Sequence, residues 1–178
     1  IHFSAERRYV TAPPVVFSKL SGEVLLIGVD IETHDWSTGR STNVTGSTGQ
    51  FGHYNLCTPC DIEEPRIVQI GWAVRGSGDR KTVFTERLVR PDGFRVSEKS
   101  TAFHGITHAC AAEEGVPLPH ALAELMRDAL EVSRQGGRLV CHHLEFDAGI
   151  IARELSRCKM AEASKLWGDI ARVGICTM

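Results

Sequence analysis

The chain has 178 residues, 42% of them hydrophobic and 24% charged, which fits one compact soluble domain and excludes whole-chain disorder, collagen or coiled coil. Twenty Lys and Arg stand against 22 Asp and Glu, a formal net charge of −2, so no global positive field marks a nucleic-acid partner. A polyanionic substrate would have to be met locally, for example by metal ions. The longest apolar run, Val24 to Val29 with Gly28 inside it, is far shorter than the roughly 20 residues of a membrane span, so no membrane partner is expected.

Residues 1–22 read as an N-terminal extension. They start at Ile1 with neither an initiator Met nor a signal-like segment, and targeting cannot be judged from them. The folded domain is expected over 23–178. Val24 to Val29 is a β-rich run apolar on both faces, expected as a central strand covered on both sides and ending in Asp30.

An insertion loop follows over 36–64. From Ser37 to Gly52, 11 of 16 residues are Ser, Thr or Gly, too few apolar groups to hold a fixed core position, so a mobile surface flap is expected. Its glycines do not make a phosphate loop, because no Gly-Lys-Ser/Thr is present. Asn43-Val44-Thr45 matches a glycosylation acceptor, and an unmodified loop is the simpler reading. His53, Cys57 and Cys60 have HxxxCxxC spacing that offers three zinc ligands without an obvious fourth; a Zn²⁺ site and an unmetallated loop both fit. The other cysteines, Cys110, Cys141, Cys158 and Cys176, are scattered through a chain that needs no disulfide staples. They read as reduced thiols of an intracellular protein of unspecified compartment.

Ile67 to Val74 and Lys81 to Val89 are expected as strands joined into a hairpin at Gly76 to Asp79. Ser97 is a candidate N-cap for a short helix ended by Gly105. Leu118, Leu122, Leu125, Met126, Ala129 and Leu130 repeat at helical period, with Gly136-Gly137 to stop the helix. Arg138 to Cys141 reads as a fourth strand. The next helix is expected to bury Phe146, Ile150, Ile151 and Leu155, and Leu166 to Met178 is expected to hold a fifth strand. Three antiparallel strands followed by helix, strand, helix, strand give a mixed α/β sheet.

Strand side chains alternate, so Asp30 and Glu32 point to one side and Ile31 to the other. Two adjacent carboxylates at the end of an apolar strand repel and call for a compensating cation. Asp147 lies three and four residues before Ile150 and Ile151, on the sheet-facing stripe of its helix. If that helix packs beside the central strand, Asp30, Glu32 and Asp147 form three hard oxygen ligands suited to Mg²⁺ or Mn²⁺. A simpler role for Asp147, complementing the helix dipole, is the alternative.

These motifs, in this order, resemble the DEDD 3′-to-5′ exonucleases of the ribonuclease H-like fold. Gly28 to Thr33 is similar to their first motif, and Arg66 to Gly71 to their second strand. Leu88 to Pro91 with Phe103-His104-Gly105-Ile106-Thr107 resembles the histidine subgroup, which includes the epsilon proofreading subunit of bacterial replicative polymerases. His142 to Asp147 is similar to the second motif, with His143 and Leu144 in place of the usual Asn and Ala.

The resemblance implies a mixed five-stranded sheet with helices on both faces and a two-metal Mg²⁺ or Mn²⁺ site on Asp30, Glu32 and Asp147, Glu32 bridging toward the attacking water. It implies that Thr33, His104, Gly105 and Ile106 hold the terminal nucleotide of a single-stranded or 3′-end nucleic acid, DNA more than RNA. His142 and His143 read as hydrogen-bonded strand-end side chains rather than bases. The family's third motif, a His followed five residues later by a fourth Asp, is expected after the fifth strand. No His follows His143 before the chain stops at Met178, and Asp169 stands in another context, so the C-terminal catalytic helix is expected to lie outside these residues. A catalytically incomplete module of a larger assembly is the competing expectation.

Overall fold

The computed structural model describes residues 25–34, 65–75 and 82–178. The chain runs β1 (Leu26–Thr33), β2 (Ile67–Arg75), β3 (Val83–Leu88), α1 (Glu98–His104), α2 (His108–Glu114), α3 (Leu118–Arg134), β4 (Arg138–Cys141), α4 (Leu144–Arg157), α5 (Ala161–Arg172) and β5 (Ile175–Cys176). The strands form one sheet in the order β3-β2-β1-β4-β5. β1 is antiparallel to β2 and parallel to β4; β2 pairs with β3 antiparallel, and β4 with β5 parallel. This is the mixed five-stranded α/β sheet expected from the sequence.

Helices α3, α4 and α5 pack over the face of the sheet that carries Ile27, Val29, Ile31, Trp72 and Leu139, all buried. Two buried indole hydrogen bonds fix the layers. Trp72 Nε1 donates to Asp128 Oδ2 at 2.9 Å, tying β2 to α3, and Trp167 Nε1 donates to the Ala148 carbonyl at 3.0 Å, tying α5 to α4. Neither indole N–H is left unsatisfied in an apolar layer, where that would cost about 1–3 kcal/mol. A second, smaller cluster of Val68, Leu88, Val96, Ile106 and Ala111 lies under α1 and α2.

Local signals explain the element ends. Ser97 Oγ accepts the Ser100 N–H at 3.0 Å, and Gly105 ends α1 at φ 79°, a conformation that glycine adopts without strain. Gly137 allows a close approach between α3 and β4: a Cβ there would sit 2.4 Å from the Leu25 carbonyl oxygen and 2.6 Å from Val132 Cγ1. That contact lets the Arg138 N–H bond to the Leu25 carbonyl at 3.0 Å, which starts the β4 pairing to β1.

Four expectations change. β1 does not end at Asp30 but continues to Thr33, because Asp30 and Glu32 pair with Gly71 and Gln69 on β2. Its two faces differ: Ile27, Val29 and Ile31 are buried, whereas Leu26 and Gly28 are half-buried and Asp30 is exposed. Phe146 is 38% exposed rather than buried, since its ring turns out against that of His143. Residues 161–172 form α5, and the fifth strand is confined to Ile175–Cys176. The N-terminal extension 1–22, the insertion loop 36–64, the hairpin turn at Gly76 to Asp79 and the possible zinc ligands His53, Cys57 and Cys60 lie outside the described residues.

Candidate active site

β1 builds the first part of the site. Asp30 and Glu32 project from the face opposite Val29 and Ile31, with Gly71 opposite Asp30 and Gln69 opposite Glu32. A register shift between Glu32 and Thr33 puts a bulge next to the two acids, the kind of irregularity that re-aims strand side chains. The absence of a side chain at Gly71 leaves a shallow floor beside Asp30. Gln69 Nε2 donates to Glu86 Oε1 across to β3. These groups line a cleft of about 620 Å³ that also takes in Gly28, Val140 and His142, with Phe84, 73% exposed, on its rim.

α4 supplies the third acid. His143 Nδ1 accepts the Phe146 N–H at 3.3 Å and caps the helix, and Glu145 and Asp147 occupy the first turn, where carboxylates complement the dipole. Asp147 is nonetheless only 5% exposed and shares the buried face with Ala148, Ile150 and Ile151. The helix dipole alone does not account for an acid placed on that face.

The acids of β1 and α4 feel one another's charge. Burial first, then the Asp30 charge, with Asp147 adding to it, pushes the Glu32 carboxyl up to about 7. Burial and then Asp30 push Asp147 up to about 6, against the pull of the His143 backbone N–H. The Cys141 thiol, at the end of β4, is pushed up to about 12 by burial and then by the charges of Asp147 and Asp30. One buried thiol therefore feels the α4 acid and the β1 acid together. Among the described residues no three His, Cys, Asp or Glu side chains stand close enough to form a ready-made cage for one ion. The donor set fits a divalent cation by chemistry: hard carboxylate oxygens, with Glu32 and Asp147 holding their protons more tightly through burial first and the Asp30 charge second.

The nucleotide-side candidates divide. His104, the last residue of α1, brings Nε2 to 3.3 Å from the Thr33 carbonyl, while its Nδ1 accepts the Ile106 N–H at 3.0 Å. The Nε2 proton therefore points at Thr33, directly beyond Glu32. Burial holds the His104 pKa below its ordinary value, with the Thr33 carbonyl acting in the opposite sense. Gly105 shapes the turn, and Ile106 is 5% exposed within the second apolar cluster. His142 Nδ1 lies 3.3 Å from Thr177 Oγ1, and with the His143 cap both histidines have hydrogen-bond partners. Gln69, Glu86 and Cys141 reach the site without having been singled out from the sequence. Strand alternation could have placed Gln69 and Cys141, but Glu86 required the β2–β3 register.

The fold as a whole is similar to known structures. Exonuclease I from Methylocaldum szegediense superposes with a TM-score of 0.51 at 16% identity, over 75% of this chain and 24% of that one. A product-bound exonuclease I gives 0.53 at 12% identity, over 76% of this chain and 26% of that one. A full-length 3′-exonuclease gives 0.51 at 14% identity, over 80% of this chain and 42% of that one. The chain has an exonuclease-type fold. It spans between about a quarter and two fifths of the length of these proteins. No protein-family model and no curated protein matches the sequence.

Proposed function

We propose that the chain carries the site of a metal-dependent 3′-to-5′ exonuclease that hydrolyses nucleic acid to nucleoside monophosphates. The observation that carries this reading is the electrostatic coupling of Asp30 and Glu32 on β1 with Asp147 on α4, on an exonuclease-type sheet. Asp30, Glu32 and Asp147 would hold Mg²⁺ or Mn²⁺, which when bound supplies charge neutralisation for the scissile phosphate and an acidified water. Glu32 sits toward the attacking side. Thr33 and His104 face the terminal nucleotide, with Gly105 and Ile106 setting the loop that presents His104. A near-neutral chain can serve a polyanion this way, because only the terminal phosphates need be gripped.

The substrate class proposed is a single-stranded or 3′-terminal end, DNA before RNA. Within the exonucleases, the His104-Gly105-Ile106-Thr107 segment and the His142 to Asp147 run support the histidine subgroup, which includes the epsilon proofreading subunit of bacterial replicative polymerases. An intracellular setting belongs to the same reading and is supported by Cys110, Cys141, Cys158 and Cys176 being free thiols. Among the described residues no helix is long and apolar enough to cross a membrane.

The second reading is a nucleic-acid-binding module that does not cut, favoured by the three acids not closing into a cage as they stand. The two are separated by incubating the full protein with a labelled single-stranded oligonucleotide and Mg²⁺ or Mn²⁺. Stepwise shortening from the 3′ end supports the exonuclease. Retention of the oligonucleotide without shortening supports the module.

A further inference from the structure

Glu154 is an unusual residue for its place. Its side chain is 1% exposed, on the buried face of α4 beside Ile150, Ile151 and Leu155, yet it carries a carboxylate. Arg66 Nε reaches it at 2.8 Å on Oε1, and Arg157 Nε stands 3.7 Å from Oε2. Removing both charges from water costs several kcal/mol, and an apolar pair of similar volume often serves stability as well or better. The flanking Ile and Leu side chains already bury α4 against the sheet. What the ion pair adds is direction.

Arg66 is itself held from three sides. Its backbone N–H donates to His34 Nδ1 at 2.9 Å, and its carbonyl accepts the His34 N–H at 2.8 Å. Its guanidinium lies 4.9 Å over the Phe94 ring, which meets the buried His34 ring edge-on at 4.9 Å. His34 follows Glu32 and Thr33 directly at the end of β1, and its carbonyl accepts the Ser97 N–H at 3.0 Å, reaching the N-cap of α1. On α4, Glu154 is two helical turns beyond Asp147 and on the same face, about 10 Å along the axis. Rotation or sliding of α4 that moves Asp147 must therefore also move Glu154 off Arg66.

We propose that the Glu154–Arg66 ion pair is a positioning device for the carboxylate site, locking the helix that carries Asp147 to the end of the strand that carries Asp30 and Glu32. The proposal rests on the reading of those three acids as metal ligands. Glu154 and Arg66 touch neither metal nor substrate; they set the spacing at which the ligands meet.

The test is a Mn²⁺ titration of the full protein at pH 7.5, followed by the electron paramagnetic resonance of free Mn²⁺. Wild type is compared with E154Q, R66K and, as a control, D128N, which weakens the buried Trp72–Asp128 contact away from α4. The expected result is roughly tenfold weaker Mn²⁺ binding in E154Q, a smaller loss in R66K, and wild-type affinity in D128N at a similar loss of thermal stability. Wild-type affinity in both E154Q and R66K would overturn the proposal. So would equal weakening in D128N, which would make the effect one of stability alone. Should E154Q fail to fold, R66K against D128N decides. Wild type that takes up no Mn²⁺ would remove the metal reading itself, and the proposal with it, a failure seen in a different sample.

Discussion

Without a cation, the site should make the folded chain less stable as pH rises from 5 to 8, and Mn²⁺ should reverse that trend. A carboxyl that holds its proton more tightly in the folded chain than in the unfolded one adds stability below its ordinary value and loses it as pH climbs through the raised one. For Glu32 that window runs from 4.5 to about 7, and for Asp147 the raised value is about 6 against 3.8. At about 1.4 kcal/mol per pKa unit, unscreened shifts of this size would amount to about 3 kcal/mol each. Partial solvation screens both carboxyls, and much of the Asp147 contribution is already lost by pH 5, which leaves about 2 kcal/mol for the pair together across this pH range. In a chain of this length that is a Tm lower by roughly 5 °C at pH 8 than at pH 5.

The contribution is isolated by comparison with the double variant Glu32→Gln/Asp147→Asn, which lacks both raised carboxyls. Mn²⁺ at a hundredfold its Kd adds about 2.7 kcal/mol, and because it must displace the carboxyl protons its effect grows with pH. Thermal melts of both proteins at pH 5 and pH 8, with and without Mn²⁺, make the assay. A wild-type Tm that falls no further than that of the double variant, or a Mn²⁺ shift equal at the two pH values, would refute the reasoning.

Further outcomes follow from individual contacts. Gly137→Ala puts a methyl group 2.4 Å from the Leu25 carbonyl oxygen, so the β1–β4 junction must shift; a loss of about 1–3 kcal/mol is expected in urea melts. Asp128→Asn weakens charge-assisted bonds to Trp72 and Arg127 and should lower stability by about 1–2 kcal/mol without changing oligonucleotide binding. His104→Ala removes the contact to Thr33; fluorescence anisotropy should show weaker binding of a single-stranded oligonucleotide, about tenfold, while Tm moves by less than about 2 °C.

The sequence was most legible where one periodicity dominated. The stripe from Leu118 to Leu130 marks α3, and the alternation through Asp30, Ile31 and Glu32 puts the two acids on one side, as observed. Asp147 was legible as a core-facing acid because Ile150 and Ile151 fix the buried side of its helix. Less legible were features that depend on pairing. The continuation of β1 through Thr33 requires the β2 register, which no local pattern reveals because strand propensity is weak for Asp and Glu. Helix α2 is only seven residues, too short for a periodic signal. α5 carries a weak helical signal because Gly168 sits inside it and the β-branched Val173, Ile175 and Thr177 follow it. Arg66 and Glu154 lie 88 positions apart, and only the folded chain brings them together.

The reading of the site is tested most directly by Mg²⁺-dependent hydrolysis of a 5′-labelled single-stranded oligonucleotide by the full protein and by Asp30→Ala. The prediction is a ladder shortening from the 3′ end that requires the cation and disappears in Asp30→Ala, whose melting curve shows it folded. Unchanged shortening by Asp30→Ala, or shortening that persists with the divalent cation chelated, would contradict it.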